Sequence, residues 1–265
     1  MNTVIPKISL AGVEKRFTTA RGGQHAAISR LDLNIASGEF VCLVGPSGCG
    51  KTTLINLMAG FEHPTGGSVH IDGRPVTGPD PDHIMIFQDY GLYPWRTVLG
   101  NVLFGLQSRG LTAAEAEESA TAALELVGLT AAKDMHPHEL SGGMKQRVAI
   151  ARALAVSPSI LFMDEPFAAL DTFTRFHLQD ELLRIWQEKM PTIVFVTHDL
   201  DEAITLGRRI VLLAPNPGRI QRVMDVSLPY PRERTESDFA VFRKELSEEF
   251  HLVHRRAQDQ AEYEI

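Results

Sequence analysis

Apolar positions along this chain change their spacing several times, and each change predicts an element. Residues 8–44 alternate in a strand-like way and close on Phe40-Val41-Cys42-Leu43-Val44, a buried strand running into a glycine-rich turn. A helix is expected from about Lys51 to Ala59. Gly66-Gly67-Ser68 reads as a turn into a short strand, Val69 to Ile71, and Asp72-Gly73 as a hairpin. His83 to Phe87 is a further strand. From about 89 to 154 the spacing becomes helical: Val98, Leu99, Val102, Leu103 and Leu106 recur behind a Thr97 cap, and Thr112 to Val127 is rich in Ala and Glu. Strands return at Ile160 to Met163 and Ile193 to Val196, with a helix over about 174–189 between them. Such alternation predicts an α/β fold, a mostly parallel sheet flanked by helices and interrupted by a helical insertion. Pro215-Asn216-Pro217-Gly218 and Pro229-Tyr230-Pro231 then punctuate the chain. In the tail, Phe239, Phe242, Leu246, Phe250 and Val253 share one helical face. That face either packs on the chain's own surface or meets a second copy or a regulator.

Composition narrows the function classes. With 265 residues, 44% hydrophobic and 22% charged, the chain is long enough for one α/β domain with subdomains. Its net charge of −7 gives no general attraction to nucleic-acid phosphates, so no nucleic-acid partner is expected. Cys42 and Cys49 form neither a disulfide framework nor a metal-ligand spacing, which fits a reducing cytoplasm. The start of the chain does not read as a signal peptide. Apolar runs such as Ile210 to Ala214 fall short of the roughly 20 residues a bilayer span requires, so a membrane role must come through a partner.

Two segments carry phosphate chemistry. Gly45-Pro46-Ser47-Gly48-Cys49-Gly50-Lys51-Thr52 matches G-x-x-x-x-G-K-[ST] between a predicted strand and a predicted helix, the context that motif needs; Thr53 follows on the helix. Glycines let successive backbone N–H groups turn inward to phosphate oxygens, and the helix N-terminus adds a favourable dipole. Lys51 is expected to neutralise β/γ oxygens of a bound nucleoside triphosphate, and the Thr52 hydroxyl to bind Mg2+. Cys49, placed within the loop, is expected to be shielded from alkylation by bound ATP. The second segment, Ile160-Leu161-Phe162-Met163-Asp164-Glu165, ends an apolar strand in two carboxylates. Asp164 is assigned to Mg2+, through coordinated water, and Glu165 to polarising the attacking water.

Leu140-Ser141-Gly142-Gly143-Met144, followed by Lys145-Gln146-Arg147, decides the family. With the two segments above, it resembles the signature of the ABC-transporter ATPases, usually LSGGQ, and the resemblance covers residues 8–225. What it implies is a P-loop NTPase (RecA-like) core with an antiparallel β subdomain and an inserted helical subdomain. The helical signature subdomain would occupy 89–154, and a C-terminal helical tail 226–265. It further implies that Ser141, Gly142 and Gly143 meet the γ-phosphate of ATP held by a second subunit, a second copy of the chain or a homologous ATPase. By the same resemblance Phe17 stacks on adenine in place of the family's usual Tyr, although a lone aromatic is more often a core residue. Gln88 reaches Mg2+ and the attacking water, Asp171 lies in the loop crossing between subunits, and His198 touches the γ-phosphate. The stretch Asp89-Tyr90-Gly91-Leu92-Tyr93-Pro94-Trp95, directly after Gln88, corresponds to the region meeting an integral membrane permease, unless Tyr93 and Trp95 are core aromatics.

The resemblance places the chain at the cytoplasmic face of the cell membrane. Gly78-Pro79-Asp80, Leu92-Tyr93-Pro94-Trp95, Leu140-Ser141-Gly142-Gly143-Met144, Pro166-Phe167 through Leu170-Asp171 and Pro217-Gly218-Arg219-Ile220 look like the importer branch for nitrate, sulfonates, taurine and similar solutes. A periplasmic or extracellular solute-binding protein would be an indirect partner. The alternatives are an importer ATPase for another solute, such as a vitamin precursor, and a soluble ABC ATPase acting on ribosomes or DNA.

Overall fold

The computed structural model describes residues 5–19 and 22–262. The chain divides into two compact units, one of Met1–Asp80 with Thr192–Ile265, the other of Pro81–Pro191. The second unit is wider than the helical stretch 89–154, because two strands and a further helix belong with those helices.

The first unit opens with β1 (Ile8–Thr18) and β2 (Gln24–Ile35), continues through β3 (Phe40–Val44) and α1 (Lys51–Ala59), and adds β4 (Gly66–Ile71) and β5 (Arg74–Pro75). Strands β2, β1, β4 and β5 lie in that order in an antiparallel sheet, the expected β subdomain. Ile8, Leu10 and Val13 of β1 face inward, and a register shift between Leu10 and Val13 absorbs the extra residue. Gly66-Gly67-Ser68 is not a turn; it is the first half of β4. At φ 74°, Gly67 lies where a Cβ would collide with the carbonyls of Ala11 and Gly12, so its glycine serves a close approach of strands. Asp72 and Gly73, at φ 50° and 74°, form the predicted hairpin turn.

The second unit contains β6 (His83–Ile86), α2 (Val98–Leu106), α3 (Ala113–Leu126), α4 (Gly142–Ala155), β7 (Ile160–Asp164) and α5 (Thr172–Lys189). β6 and β7 run parallel, from His83 opposite Ile160 to Ile86 opposite Met163, so Phe87 falls just past the strand. Four helices start on side-chain caps. Thr97 accepts from Gly100 N–H, Thr112 and Glu115 form a reciprocal capping box, Ser141 accepts from Met144 N–H, and Asp171 from Thr174 N–H. Asp171 is also why α5 begins at Thr172, earlier than the apolar spacing predicts. Asn101, fully buried on α2, donates through Nδ2 to the carbonyls of Tyr93, Arg96 and Thr97, and its Oδ1 accepts from Tyr93 N–H at 2.8 Å. This one amide pins the turn that carries Tyr93 to Thr97.

The chain then returns to the first unit with β8 (Thr192–Thr197), α6 (Leu200–Leu206), β9 (Arg209–Ala214), β10 (Arg219–Asp225) and α7 (Ser237–Glu262). β3 lies between β8 and β9, parallel to both, and β10 adds antiparallel to β9. Every residue of β3 and β8 is buried, as a parallel sheet covered on both faces requires. On α7, Phe239, Leu246 and Val253 are buried, while Phe242 and Phe250 are half-buried. Burying each such side chain contributes about 1.5–3 kcal/mol. The helix packs on α6 and β9, so the tail's apolar face meets the chain's own surface.

Candidate nucleotide site

The phosphate loop grows out of β3. Val44 pairs with Thr197 of β8, so Gly45 and His198 are the residues just past the ends of two neighbouring parallel strands. Gly45 is closely surrounded: a Cβ there would meet Cys49 Sγ at 2.6 Å and the Leu213 carbonyl at 2.7 Å. Gly50, at φ 89°, is the left-handed N-cap of α1, and a Cβ would meet Ile28 Cδ1 at 2.5 Å. Around Gly48, at φ 78°, no atom comes within 4 Å of a built Cβ, and Ser47 and Gly48 are exposed. The loop is thus packed on its inner side and open on its outer side, which suits an anion resting on backbone N–H groups. Lys51 is 7% exposed, and its Nζ donates to the carbonyls of Gly45 at 2.8 Å and Pro46 at 3.1 Å. Its charge is thereby held across the loop. Thr52 is exposed and Thr53 half-buried on the first turn of α1.

Cys49 corrects one expectation. Its side chain is fully buried beneath the loop, its N–H donates to the Pro46 carbonyl at 3.3 Å, and burial raises its thiol above the usual range. The thiol lies under Gly45, away from the open side, and its raised affinity for its proton predicts slow alkylation with or without ATP, read by labelling in both conditions. Its part in the loop is to fill space under Gly45.

His198 is exposed and sits between two anchored neighbours. Thr197 Oγ1 donates to Glu202 Oε2 at 2.6 Å and accepts from Asp199 N–H at 3.0 Å. Asp199 Oδ1 in turn accepts from the N–H groups of Asp201 and Glu202, at 2.8 and 3.2 Å. Phe17, near the end of β1 and opposite His25, is 37% exposed with Lys15 Nζ 4.8 Å from its ring centroid. The ring is therefore not a fully buried core aromatic.

In the second unit, the β6–β7 register puts Gln88 and Glu165 at corresponding positions beyond two neighbouring parallel strands, with Asp164 closing β7 at 4% exposure. Glu165 has φ 49°, a left-handed backbone that costs a non-glycine residue about 1–2 kcal/mol. Such strain is tolerated where a side chain must be aimed. Ser141 Oγ accepts from Met144 N–H at 3.3 Å, and the helix start that carries the Gly142 and Gly143 N–H groups has Ser141 and Gly142 exposed and Gly143 half-buried. A Cβ on Gly142 would lie 3.1 Å from the Tyr90 hydroxyl, and one on Gly143 3.2 Å from the Ala169 carbonyl. The signature start thus rests against the segment following Gln88 and the loop preceding Asp171. Asp171 itself is engaged locally: hydrogen bonds from the Thr174 side chain and backbone hold its carboxyl below the usual carboxylate range.

Lys51, Thr52, Phe17 and His198 therefore belong to the first unit, and Gln88, Ser141 to Gly143, Asp164, Glu165 and Asp171 to the second. The donors assigned to magnesium, the Thr52 hydroxyl, the Gln88 amide and the Asp164 carboxylate, offer oxygen, the donor type that ion takes. Two further residues shape the site without belonging to any motif. Asn101 was hidden in an apolar helix pattern, where a lone amide is the only signal. Arg152 of α4 donates to the carbonyls of Gly91 at 2.8 Å and Tyr90 at 3.2 Å, and its guanidinium lies 5.9 Å from the Tyr93 ring centroid. Tyr93 also stacks edge-on against Phe104, at 4.5 Å, and Trp95 is 71% exposed, so Trp95 is no core residue.

Comparison with known proteins converges on one family. The profile of the ABC transporter family matches residues 28–168. An uncharacterised ABC transporter ATP-binding protein of Methanocaldococcus jannaschii is 49% identical over 240 residues, covering 91% of this chain and 90% of its own. A nitrate import ATP-binding protein of Synechococcus elongatus is 46% identical over 225 residues, covering 84% and 82%. A bacterial ABC transporter cassette solved as a dimer superposes with a TM-score of 0.78 at 34% identity, covering 84% of this chain and all of that one. Its post-hydrolysis dimer, bound to ADP and Pi, gives 0.77. The chain belongs to the ABC transporter family, as one of its ATP-binding, ATP-hydrolysing cassettes.

Proposed function

We propose that this cassette drives import of a small solute of the nitrate, sulfonate or taurine type through a separate integral membrane permease, working in pairs that clamp ATP between copies. One observation carries the reading: a single chain holds both a phosphate loop with Lys51 drawn across it and a second glycine helix start, at Ser141, with open N–H groups. One such start per copy can cap the loop of another copy. The nitrate import relative supports the solute class, together with the segments from Gly78-Pro79-Asp80 to Pro217-Gly218-Arg219-Ile220. Among the described residues no helix is long and apolar enough to cross a membrane, so passage of solute falls to the permease. Trp95, Tyr93 and Phe104 are the surface offered to it, at the cytoplasmic face.

In the reaction, Lys51 exchanges its two loop carbonyls for phosphate oxygens, while backbone N–H groups of the loop, such as those of Gly48, Gly50 and Thr52, hold the remaining charge. Thr52, Gln88 and Asp164 would hold magnesium, which when bound supplies positive charge to the phosphate oxygens. Glu165 accepts a proton from the attacking water, and Gln88 and His198 orient it. Phe17 stacks on the base, and the open N–H groups behind Ser141 bond the γ-phosphate from the other copy. Binding favours the closed pair, and loss of the γ-phosphate favours opening.

Glu165→Gln tests the engine. The variant binds ATP, accumulates as a dimer on a sizing column, and hydrolyses about 100-fold more slowly or worse, the usual weight of a general base. Rapid multiple turnover would remove Glu165 from this role. Solubilised membranes test the partner: co-purification of a hydrophobic permease supports the importer, whereas nucleic acid in its place favours a soluble ATPase.

A further inference from the structure

The reading of His198 as a γ-phosphate contact leaves open what fixes its position, and the tail answers that. His198 is followed at once by α6, only seven residues long. A helix so short does not persist by itself, since isolated helices below about 12–15 residues are marginal in water. Its N-terminus is tied to the histidine through Asp199 and through the Thr197–Glu202 bond. Its C-terminal carbonyls find no partners within the helix, and residues beyond β10 supply them. The Arg232 guanidinium donates to Ile204 and, at 2.6 Å, to Gly207, while the Tyr230 hydroxyl donates to Leu206 at 2.8 Å. Arg232 also bonds the carbonyls of Val226 and Leu228 at 3.0 Å each and stacks 4.0 Å from the Tyr230 ring centroid, and it is 8% exposed. At the other end of α6, Arg243 Nε of α7 bonds Asp201 Oδ1 at 2.5 Å.

We infer that the C-terminal tail is a positioning element for His198, gripping α6 at both ends through Arg232 and Arg243 so that the histidine is presented in one place. The two grips differ in kind. Arg232 closes orphaned carbonyls in the interior, and its removal endangers the fold. Arg243 forms an exposed pair, at 57% and 36% side-chain exposure with Asp201, so losing it leaves stability nearly unchanged while removing the tail's hold on the start of α6.

The test therefore uses Arg243 in the full-length chain. Arg243→Ala is expected to lower kcat for ATP hydrolysis about 3- to 10-fold, with KM within about 2-fold and a melting temperature within about 2 °C. Arg243→Lys, which keeps the charge, restores most of that loss. On a His198→Ala background the Arg243→Ala change has no further effect, because both remove the same contribution. An unchanged kcat in Arg243→Ala overturns the inference. So does a loss that persists undiminished on the His198→Ala background. Neither result touches the outcome for Glu165→Gln, so the ATPase reading stands or falls separately.

Discussion

The two cysteines, one in strand β3 and one in the phosphate loop it feeds, show how burial decides a side chain's chemistry. Cys42 lies inside β3, where burial first and Glu202 second raise its thiol, with Arg232 opposing, far above the usual range. Cys49 is raised by burial, with Lys51 opposing. An unfolded thiol releases its proton as pH climbs through about 8.5, whereas these two keep theirs while the chain is folded. Above that point the unfolded state binds fewer protons than the native one, and stability falls with rising pH. Urea midpoints should therefore decline between about pH 7.5 and 9.5, and the Cys42→Ala/Cys49→Ala variant should show a flatter decline. Parallel slopes in the two proteins would clear the thiols of any part in the pH dependence. The same residue-scale logic explains why Cys49 misled a reading by motif: the pattern states which backbone positions approach a phosphate and is silent on where each side chain turns.

At the scale of elements, α4 joins the signature start to the aromatic surface through one residue. Arg152 spans the carbonyls of Tyr90 and Gly91, and its Cγ lies 3.1 Å from where a Cβ on Gly105 of α2 would sit. A guanidinium serves two carbonyls with fixed geometry, and an ammonium does not. Arg152→Lys should therefore lower unfolding free energy by about 0.5–1 kcal/mol, and Arg152→Ala by about 1–2 kcal/mol, because the half-buried Tyr90 and the exposed Gly91 lose a charged donor to their carbonyls. Urea denaturation measures this, and a midpoint equal to the parent's in Arg152→Ala would free the Tyr90–Gly91 segment from α4. Elements with motifs at their ends were legible in the chain. β3 and α1 keep their expected bounds because Gly45 ends an apolar run and a left-handed Gly60 ends a helix. β10 was not legible, since Arg219-Ile220-Gln221-Arg222 has no inward face of its own and is a strand because β9 offers an edge to pair with. Gly66 and Gly67 read as a turn because local propensity cannot register that another strand passes within contact distance. Contacts that join distant segments, such as Arg152 to Tyr90 or Arg232 to α6, leave no periodicity to find.

For the whole molecule, the division of site residues between two units has a consequence that a mixture of chains exposes. Lys51→Ala disables the loop and leaves the signature sound; an arginine in place of Ser141 blocks the signature and leaves the loop sound. Each variant alone builds pairs in which every site lacks one half. When the two are mixed in equal amounts and exchange freely, about half of the pairs are mixed, and each of those has one site of two complete, so about a quarter of the parent activity should return. A site built within one chain predicts something different. Each variant would then be deficient by itself in every site, and mixing would add nothing. The recovered activity per total protein should also follow the product of the two mole fractions and peak at equal amounts, because only the mixed pair works. A mixture no more active than its components would mean that ATP is enclosed by one copy alone.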